Sequence, residues 1–331
     1  MSTTTNHTTA PLDPDAKAVA DQFAVLLPAG LSGLGVDGVR AFGEQANTQT
    51  PPAAEVHRVS EHQAPGPHGD VRVRLYRPDS AGPVPVLLYI HGGGWTMGSI
   101  DGGVDYLARD IVCTLGIAVA SVEYRLAPEH KFPIPVEDCQ AALAWLRGSA
   151  PTLGLDPSLV AIGGDSAGAN IAAAITHLDR GNAMPLAAQV LLCPATEYAV
   201  DRPSWIDNAN APLLTAADTV WFWDQYLRTE ADRTDPRATP ANASSFADLP
   251  PALVVVAGHD PLRDDGLHYA ELLEGAGTPA EVARFDGSFH DFITMPALAA
   301  YPRGLGAVTG FLANALAAGS APTAKETAQR R

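Results

Sequence analysis

Leu159-Val160-Ala161-Ile162, then Gly164-Asp165-Ser166-Ala167-Gly168, then the small, helix-forming run from Ala169 to Ala174, is the stretch that decides how this chain is read. The apolar run is a buried strand and the alanine-rich run is a helix, so Ser166 stands in the turn between them. Such an elbow holds its central residue at an unfavourable backbone angle and brings its neighbours against strand and helix, which calls for glycine on both sides. The turn lifts a hydroxyl out of the backbone, and Ser166 is therefore a candidate nucleophile. In a chain with 30 glycines the motif alone could equally be a surface turn, and it is the flanking strand and helix that favour the elbow.

Outward from the elbow, short apolar strands alternate with longer helical patterns. Val71 to Tyr76 alternates, Val84 to Ile90 is continuously apolar, and Ile117 to Val122 follows a helical stretch from Val104 to Leu115. Pro135 with Glu137 and Asp138 opens a helix whose apolar face is Ala141 to Leu146. Beyond Ser166, Gln189 to Cys193, Ala252 to Ala257 and Ala280 to Phe285 read as strands, His268 to Leu273 as a helix and Leu305 to Ala317 as a closing helix. This alternation predicts an α/β fold with a mostly parallel central sheet, helices on both faces, and ligands bound at the carboxyl ends of the strands.

Two segments stand outside the alternation, about residues 14–45 with helical spacing and about 198–232 with Trp205, Trp221, Phe222, Trp223 and Tyr226. The aromatic segment is either an ordinary helix packed on the core or a lid that walls a ligand pocket. Residues 1–13 and 320–331 lack apolar periodicity and are expected to be disordered tails around one domain spanning 14–319.

The formal net charge of −16, from 37 Asp and Glu against 21 Lys and Arg, argues against nucleic acid or anionic membranes as partners. No stretch suggests a secretion signal or membrane insertion, and a cytoplasmic location is expected. Cys113, Cys139 and Cys193 are far apart in apolar surroundings, as befits buried free thiols, and neither a metal nor another cofactor is expected.

A nucleophilic serine needs donors for an oxyanion, a base and an orienting acid at the same sheet edge. His91-Gly92-Gly93-Gly94-Trp95 follows the strand ending at Ile90 and exposes successive backbone N–H groups. Gly93 and Gly94, with Ala167 after the nucleophile, are the expected oxyanion hole, and Trp95 is a candidate substrate-binding residue. Asp260 stands three residues past Val254-Val255-Val256-Ala257 and is the expected acid, whereas Asp264 and Asp265 read as helix-start charges. His290, after the strand ending at Phe285 and the turn Asp286-Gly287-Ser288, is the expected base. The remaining histidines fall within helical patterns, in loops, in polar surroundings ahead of the glycine loop, or, as with His259, beside the acid and pointing away.

Together these residues resemble the hormone-sensitive-lipase-like (bacterial family IV) carboxylesterases of the α/β-hydrolase fold. The resemblance rests on His91-Gly92-Gly93-Gly94, Tyr124-Arg125-Leu126-Ala127-Pro128-Glu129 with Phe132-Pro133, Gly164-Asp165-Ser166-Ala167-Gly168, and Asp260-Pro261-Leu262-Arg263-Asp264-Asp265-Gly266, across about residues 55–315. It implies hydrolysis of a small-molecule carboxylic ester, short to medium in chain length, through a Ser-His-Asp triad and an acyl-enzyme. It also implies a two-part helical cap matching 14–45 and 198–232, an Arg125–Glu129 pair beneath the site, a supporting acid at Glu197, and dimers through the last strand and helix, so that a homodimer is admitted. An amidase or deacetylase would use the same triad; a non-catalytic receptor on the same fold would have lost the histidine that this chain keeps; an interfacial lipase fits poorly without a secretion signal. The chain departs from the family pattern at Ala169 and Asp291, where glycine is usual, and the carboxylate beside His290 is expected to raise the imidazole pKa.

Overall fold

The structure, a computed structural model, describes residues 10–47 and 53–319. Its strands are β1 (Arg58–Ala64), β2 (Val71–Arg77), β3 (Val84–Ile90), β4 (Ala118–Glu123), β5 (Leu155–Asp165), β6 (Ala188–Leu192), β7 (Ala252–His259) and β8 (Ala280–Phe289). They lie in one sheet in the order β1-β2-β4-β3-β5-β6-β7-β8. β2 pairs antiparallel with both β1 and β4, and every pairing from β4 to β8 is parallel.

Side chains on β3 alternate between two cores, with Val86, Leu88 and Ile90 on one face and Leu87 and Tyr89 on the other. Both faces are covered, which is why the strand reads as an unbroken apolar run rather than an alternating one. Among the helices, α1 (Pro14–Leu26) and α2 (Gly35–Asn47) precede the sheet, and α3 (Gly103–Leu115), α4 (Ile134–Leu153) and α5 (Ala167–Leu178) follow β3, β4 and β5. Next come α6 (Pro203–Asp207), α7 (Ala216–Tyr226), α8 (Arg263–Gly275) and α9 (Ala300–Gly319). α4, α5 and α8 bury their apolar residues in the first core, α3 and α9 in the second.

The strands run longer than their apolar signals. β7 continues to His259, so Asp260 is the first residue after it, and β8 continues through Asp286-Gly287-Ser288 to Phe289, so that expected turn is strand and His290 follows directly. β1 has no apolar run to announce it, because this edge strand, Arg-Val-Ser-Glu-His-Gln-Ala, is mostly exposed along its length. The expected N-terminal tail lies outside the described residues up to position 9. From there the chain is anchored, Ala10 offering its carbonyl to His259 Nε2 (2.8 Å) and Asp13 N–H donating to the Gly287 carbonyl (2.8 Å). The tail expected at 320–331 falls wholly outside the described residues.

Of the cysteines, Cys139 and Cys193 are buried as expected, but Cys113 is exposed. It sits on the outer side of α3, whose inward positions are Leu107, Ala108, Ile111 and Val112.

The end of β3 and the start of α5 approach so closely that a Cβ on Gly168 would run into the Ile90 and His91 carbonyls. Gly168→Ala is expected to lower stability by about 1–3 kcal/mol, the range for overpacking a filled site. The urea-unfolding midpoint measures it; an unchanged midpoint would contradict this packing.

Candidate active site

β3, β5, β7 and β8 end at the same edge of the sheet, and that parallel arrangement gathers the four sequence-predicted segments. Ser166 joins β5 to α5 with φ 52° and ψ −117°, a conformation strained for any residue with a side chain. Its N–H donates to the Leu192 carbonyl (2.7 Å) at the end of β6, and its carbonyl accepts from Asn170 N–H (3.0 Å) in the first turn of α5. The Ala169 methyl, where glycine was expected, is fully buried in the first core and leaves the elbow intact.

His290 and Asp260 meet this serine. His290 Nε2 lies 2.9 Å from Ser166 Oγ, and His290 Nδ1 lies 2.7 Å from Asp260 Oδ2. A carboxylate only accepts, so the neutral ring keeps its proton on Nδ1 and Nε2 is left to accept the serine proton. Asp260 is itself fixed, with Oδ1 accepting Leu262 N–H (2.8 Å) and its carbonyl accepting from Asn208 Nδ2 (3.1 Å).

The glycine loop is tied to the same elbow. Asp165, one residue before the serine, accepts from Gly92 N–H (2.9 Å) and from the Tyr89 hydroxyl (2.7 Å). Gly93 at φ 106° and Gly94 at φ 57° then turn the chain, and the Gly93 carbonyl accepts from Thr96 and Met97 N–H. Among the described residues no acceptor takes the N–H of Gly93, Gly94 or Ala167, so all three remain available as donors beside Ser166. Trp95 touches the cleft but is nearly all buried, stacked on Tyr226 (4.3 Å between centroids, 3° between planes) and tilted against Trp223 (4.4 Å).

A cleft of about 610 Å³, its open mouth included, stands over Ser166 and His290. Leu31 and Phe42 wall it from the N-terminal segment, and Leu213, Leu214, Phe222 and Trp223 from the aromatic segment. On α7, Tyr226 packs inward, and buried Phe222 and Trp223 reach the cleft wall.

One expectation needs correction. Arg125 does not pair with Glu129; it pairs with buried Asp138 of α4 (2.5 Å), and Glu129 pairs with Arg40 of α2 (2.6 Å), because the chain after Arg125 carries the two side chains to different neighbours. Asp264 and Asp265 lie in the first turn of α8, as expected of helix-start charges, and also bind α6. Asp264 accepts Ser204 N–H (2.8 Å) and buried Asp265 accepts Trp205 Nε1–H (3.1 Å), which fastens α6 to α8. Glu197 pairs with Arg202 at the base of the same segment.

The site is rich in buried carboxylates. Burial raises the Asp165 carboxyl above its ordinary range despite the Tyr89 bond, and burial raises that of Asp291 as well. Burial works against a charged imidazole, yet the charges of Asp260 and Asp291 outweigh it and lift His290 to about 9. The Asp291 effect has the sign expected from sequence. Cys193 completes the cluster: its Sγ and donor atoms of Asp260 and His290 all lie within 4.8 Å of one another. These are groups a transition metal could use, but here Asp260 is engaged by Leu262 and His290, and burial pushes the Cys193 thiol well above its ordinary range, against the thiolate a metal needs.

Comparison with known proteins agrees with this architecture. The family profile described as alpha/beta hydrolase fold matches residues 87–294. The chain is 39% identical over 301 residues to a carboxylic ester hydrolase, LipN, of Mycobacterium tuberculosis, covering 86% of this chain and 77% of the relative. It is 38% identical to the carboxylesterase NlhH of the same species, covering 90% and 95%. Among solved structures, a hyperthermophilic esterase from Pyrobaculum calidifontis superposes with a TM-score of 0.85 at 34% identity, covering 92% and 99%.

Asp165→Ala would leave the buried Gly92 N–H and Tyr89 hydroxyl unpaired and free the glycine loop from the elbow. A stability loss of about 1–3 kcal/mol is expected, with turnover down roughly tenfold to a hundredfold from misplaced donors. Steady-state kinetics beside thermal melts would check it, and full turnover in the variant would contradict the loop's dependence on Asp165.

Proposed function

This chain belongs to the α/β-hydrolase fold family and is a carboxylic ester hydrolase, and from that premise we propose that it cleaves short- to medium-chain esters through Ser166, His290 and Asp260 by way of an acyl-enzyme. His290 Nε2 takes the proton of Ser166 Oγ as the oxygen attacks the ester carbonyl carbon. The carbonyl π electrons move to oxygen, and the N–H groups of Gly93, Gly94 and Ala167 hold the resulting oxyanion. Collapse of the intermediate breaks the bond to the alcohol, which leaves with the proton from His290. Water then repeats the sequence on the acyl-enzyme and releases the acid. Asp260 keeps the ring oriented and stabilises its charged form.

The observation that carries this reading is the unbroken chain of contacts, Ser166 Oγ to His290 Nε2 at 2.9 Å and His290 Nδ1 to Asp260 at 2.7 Å, at the floor of the cleft. The chain-length preference rests on the walls. Each methylene that fits between walls that include Phe222, Trp223 and Leu214 contributes about 0.8 kcal/mol of transfer free energy. The segments 14–45 and 198–232 act as the cap that supplies those walls.

Hydrolysis of p-nitrophenyl esters from C2 to C16, run beside Ser166→Ala, tests the proposal. Rates should peak at short or medium chains, and the variant should lose about six orders of magnitude in turnover, as in other serine triads. Activity that survives in the variant would refute the assignment of Ser166, and a peak at C12 or beyond would refute the chain-length reading. With His290 held near 9, its free-base fraction grows as pH rises. kcat/KM should therefore climb through the neutral range and level off only above about pH 9; a plateau already reached at pH 6 would contradict it.

A further inference from the structure

Asp291 is the one acidic side chain lining the cleft among the described residues. Its backbone is left-handed, φ 57° and ψ 21°, and the side chain curls back toward the preceding ring. Oδ2 lies 3.4 Å from His290 Nε2, on the nitrogen that also faces Ser166, while Oδ1 is buried with no hydrogen-bond partner among the described residues. No lysine or arginine pairs with this carboxylate among the described residues, so its one cationic neighbour is the protonated form of His290.

The other groups facing the ring and Asp291 are Asp260 from the β7–α8 connection, Asp165 and Ser166 from the elbow, and Cys193 from the end of β6. Tyr89 of β3 and His91 just after it stand behind Asp165. Among the described residues, no arginine or lysine enters this group. The imidazole is thus bracketed by carboxylates at both nitrogens, Asp260 at Nδ1 and Asp291 at Nε2.

We propose that Asp291 is a positioning residue that competes with Ser166 for His290 Nε2 and stabilises the imidazolium, setting the pH range in which the enzyme works. This rests on the reading of Ser166, His290 and Asp260 as the reacting set. An imidazolium occurs twice in the cycle, as the inactive resting form at low pH and within each tetrahedral transition state, where Nε2 carries the serine or water proton. A carboxylate beside Nε2 stabilises both. Where Asp291 is charged and the ring still protonated, between about pH 7 and 9, the resting form is stabilised too, so the carboxylate withholds the base and slows the reaction. At high pH the resting ring is neutral, only the transition state benefits, and the carboxylate accelerates it. The residue trades activity in that range for activity in stronger alkali.

Asp291→Asn and Asp291→Gly test this, both chosen because asparagine and glycine accept the left-handed backbone at this position. The measurement is kcat/KM on p-nitrophenyl acetate from pH 5 to 10. The variants' profiles are expected to cross that of the unsubstituted enzyme. The acidic limb should move down by roughly one pH unit, giving several-fold higher activity between about pH 7 and 9, where Asp291 is charged and the ring of the unsubstituted enzyme is protonated, and several-fold lower activity on the alkaline plateau. A merely structural role would lower activity at every pH without moving the midpoint, and parallel profiles would overturn the proposal.

The ring itself supplies a readout free of turnover. In a Ser166→Ala background, the NMR titration of the His290 imidazole should shift down by a similar amount on adding Asp291→Asn, and an unmoved midpoint would overturn the proposal. Failure of the underlying reading shows separately, as ester hydrolysis that survives Ser166→Ala.

Discussion

The backbone at Ser166, held at φ 52° and ψ −117°, is the constraint on which the rest of the site depends. Such a conformation costs about 1–3 kcal/mol and persists only where its surroundings over-determine it. Three strands do so here. β5 delivers the chain, β6 binds the Ser166 N–H through the Leu192 carbonyl, and β3 presses its last carbonyls against Gly164 and Gly168. The same close approach puts Asp165 within reach of Gly92 N–H. Ser166 and the glycine loop are therefore positioned by one packing event.

Around that elbow the sheet edge collects carboxyl groups. Asp165, Asp260 and Asp265 are fully or nearly fully buried, and Asp291 joins them in the cleft wall. Buried carboxylates are tolerated where donors surround them. Asp165 has the Tyr89 hydroxyl and Gly92 N–H, Asp260 has Leu262 N–H and His290, and Asp265 has the Trp205 indole. Asp291 has no such donor among the described residues: its stabilisation comes from the charge on His290, so the two groups titrate against each other.

The segments that wall the cleft are joined to the site by polar links as well as by apolar burial. Asp218 of α7 accepts Ser32 N–H (2.7 Å) ahead of α2, joining the two distant stretches of chain. Arg40 of α2 donates to the Thr96 and Ala127 carbonyls, reaching the residues just after the glycine loop. On the other side, Asn208 donates to the carbonyls of Gly258 and Asp260. Trp95, stacked between Tyr226 and Trp223, makes the loop part of the aromatic core, with each such pair contributing about 0.5–1.5 kcal/mol beyond burial. These walls are thus bonded to the glycine loop and to Asp260.

The order of strands and helices could be read along the chain, because parallel strands covered on both faces must be apolar throughout, as Val84 to Ile90 is. β1 escaped notice for the converse reason, since an edge strand whose residues are mostly exposed carries no such pattern. Ser166, Asp260 and His290 were each legible from local context, a glycine elbow or a strand end, and the fold adds that the ends of β5, β7 and β8 share one edge. Which charges pair was not legible. Arg125 with Asp138, Arg40 with Glu129, and Asp265 with Trp205 join residues whose approach depends on how helices settle on the sheet. Sequence by itself determined the layered fold and the chemical groups at the strand ends, because periodicity and backbone strain are local properties of the chain. Only the tertiary structure decided the cleft's walls and the bracketing of His290 by two carboxylates, because distances between groups far apart in sequence are set by packing.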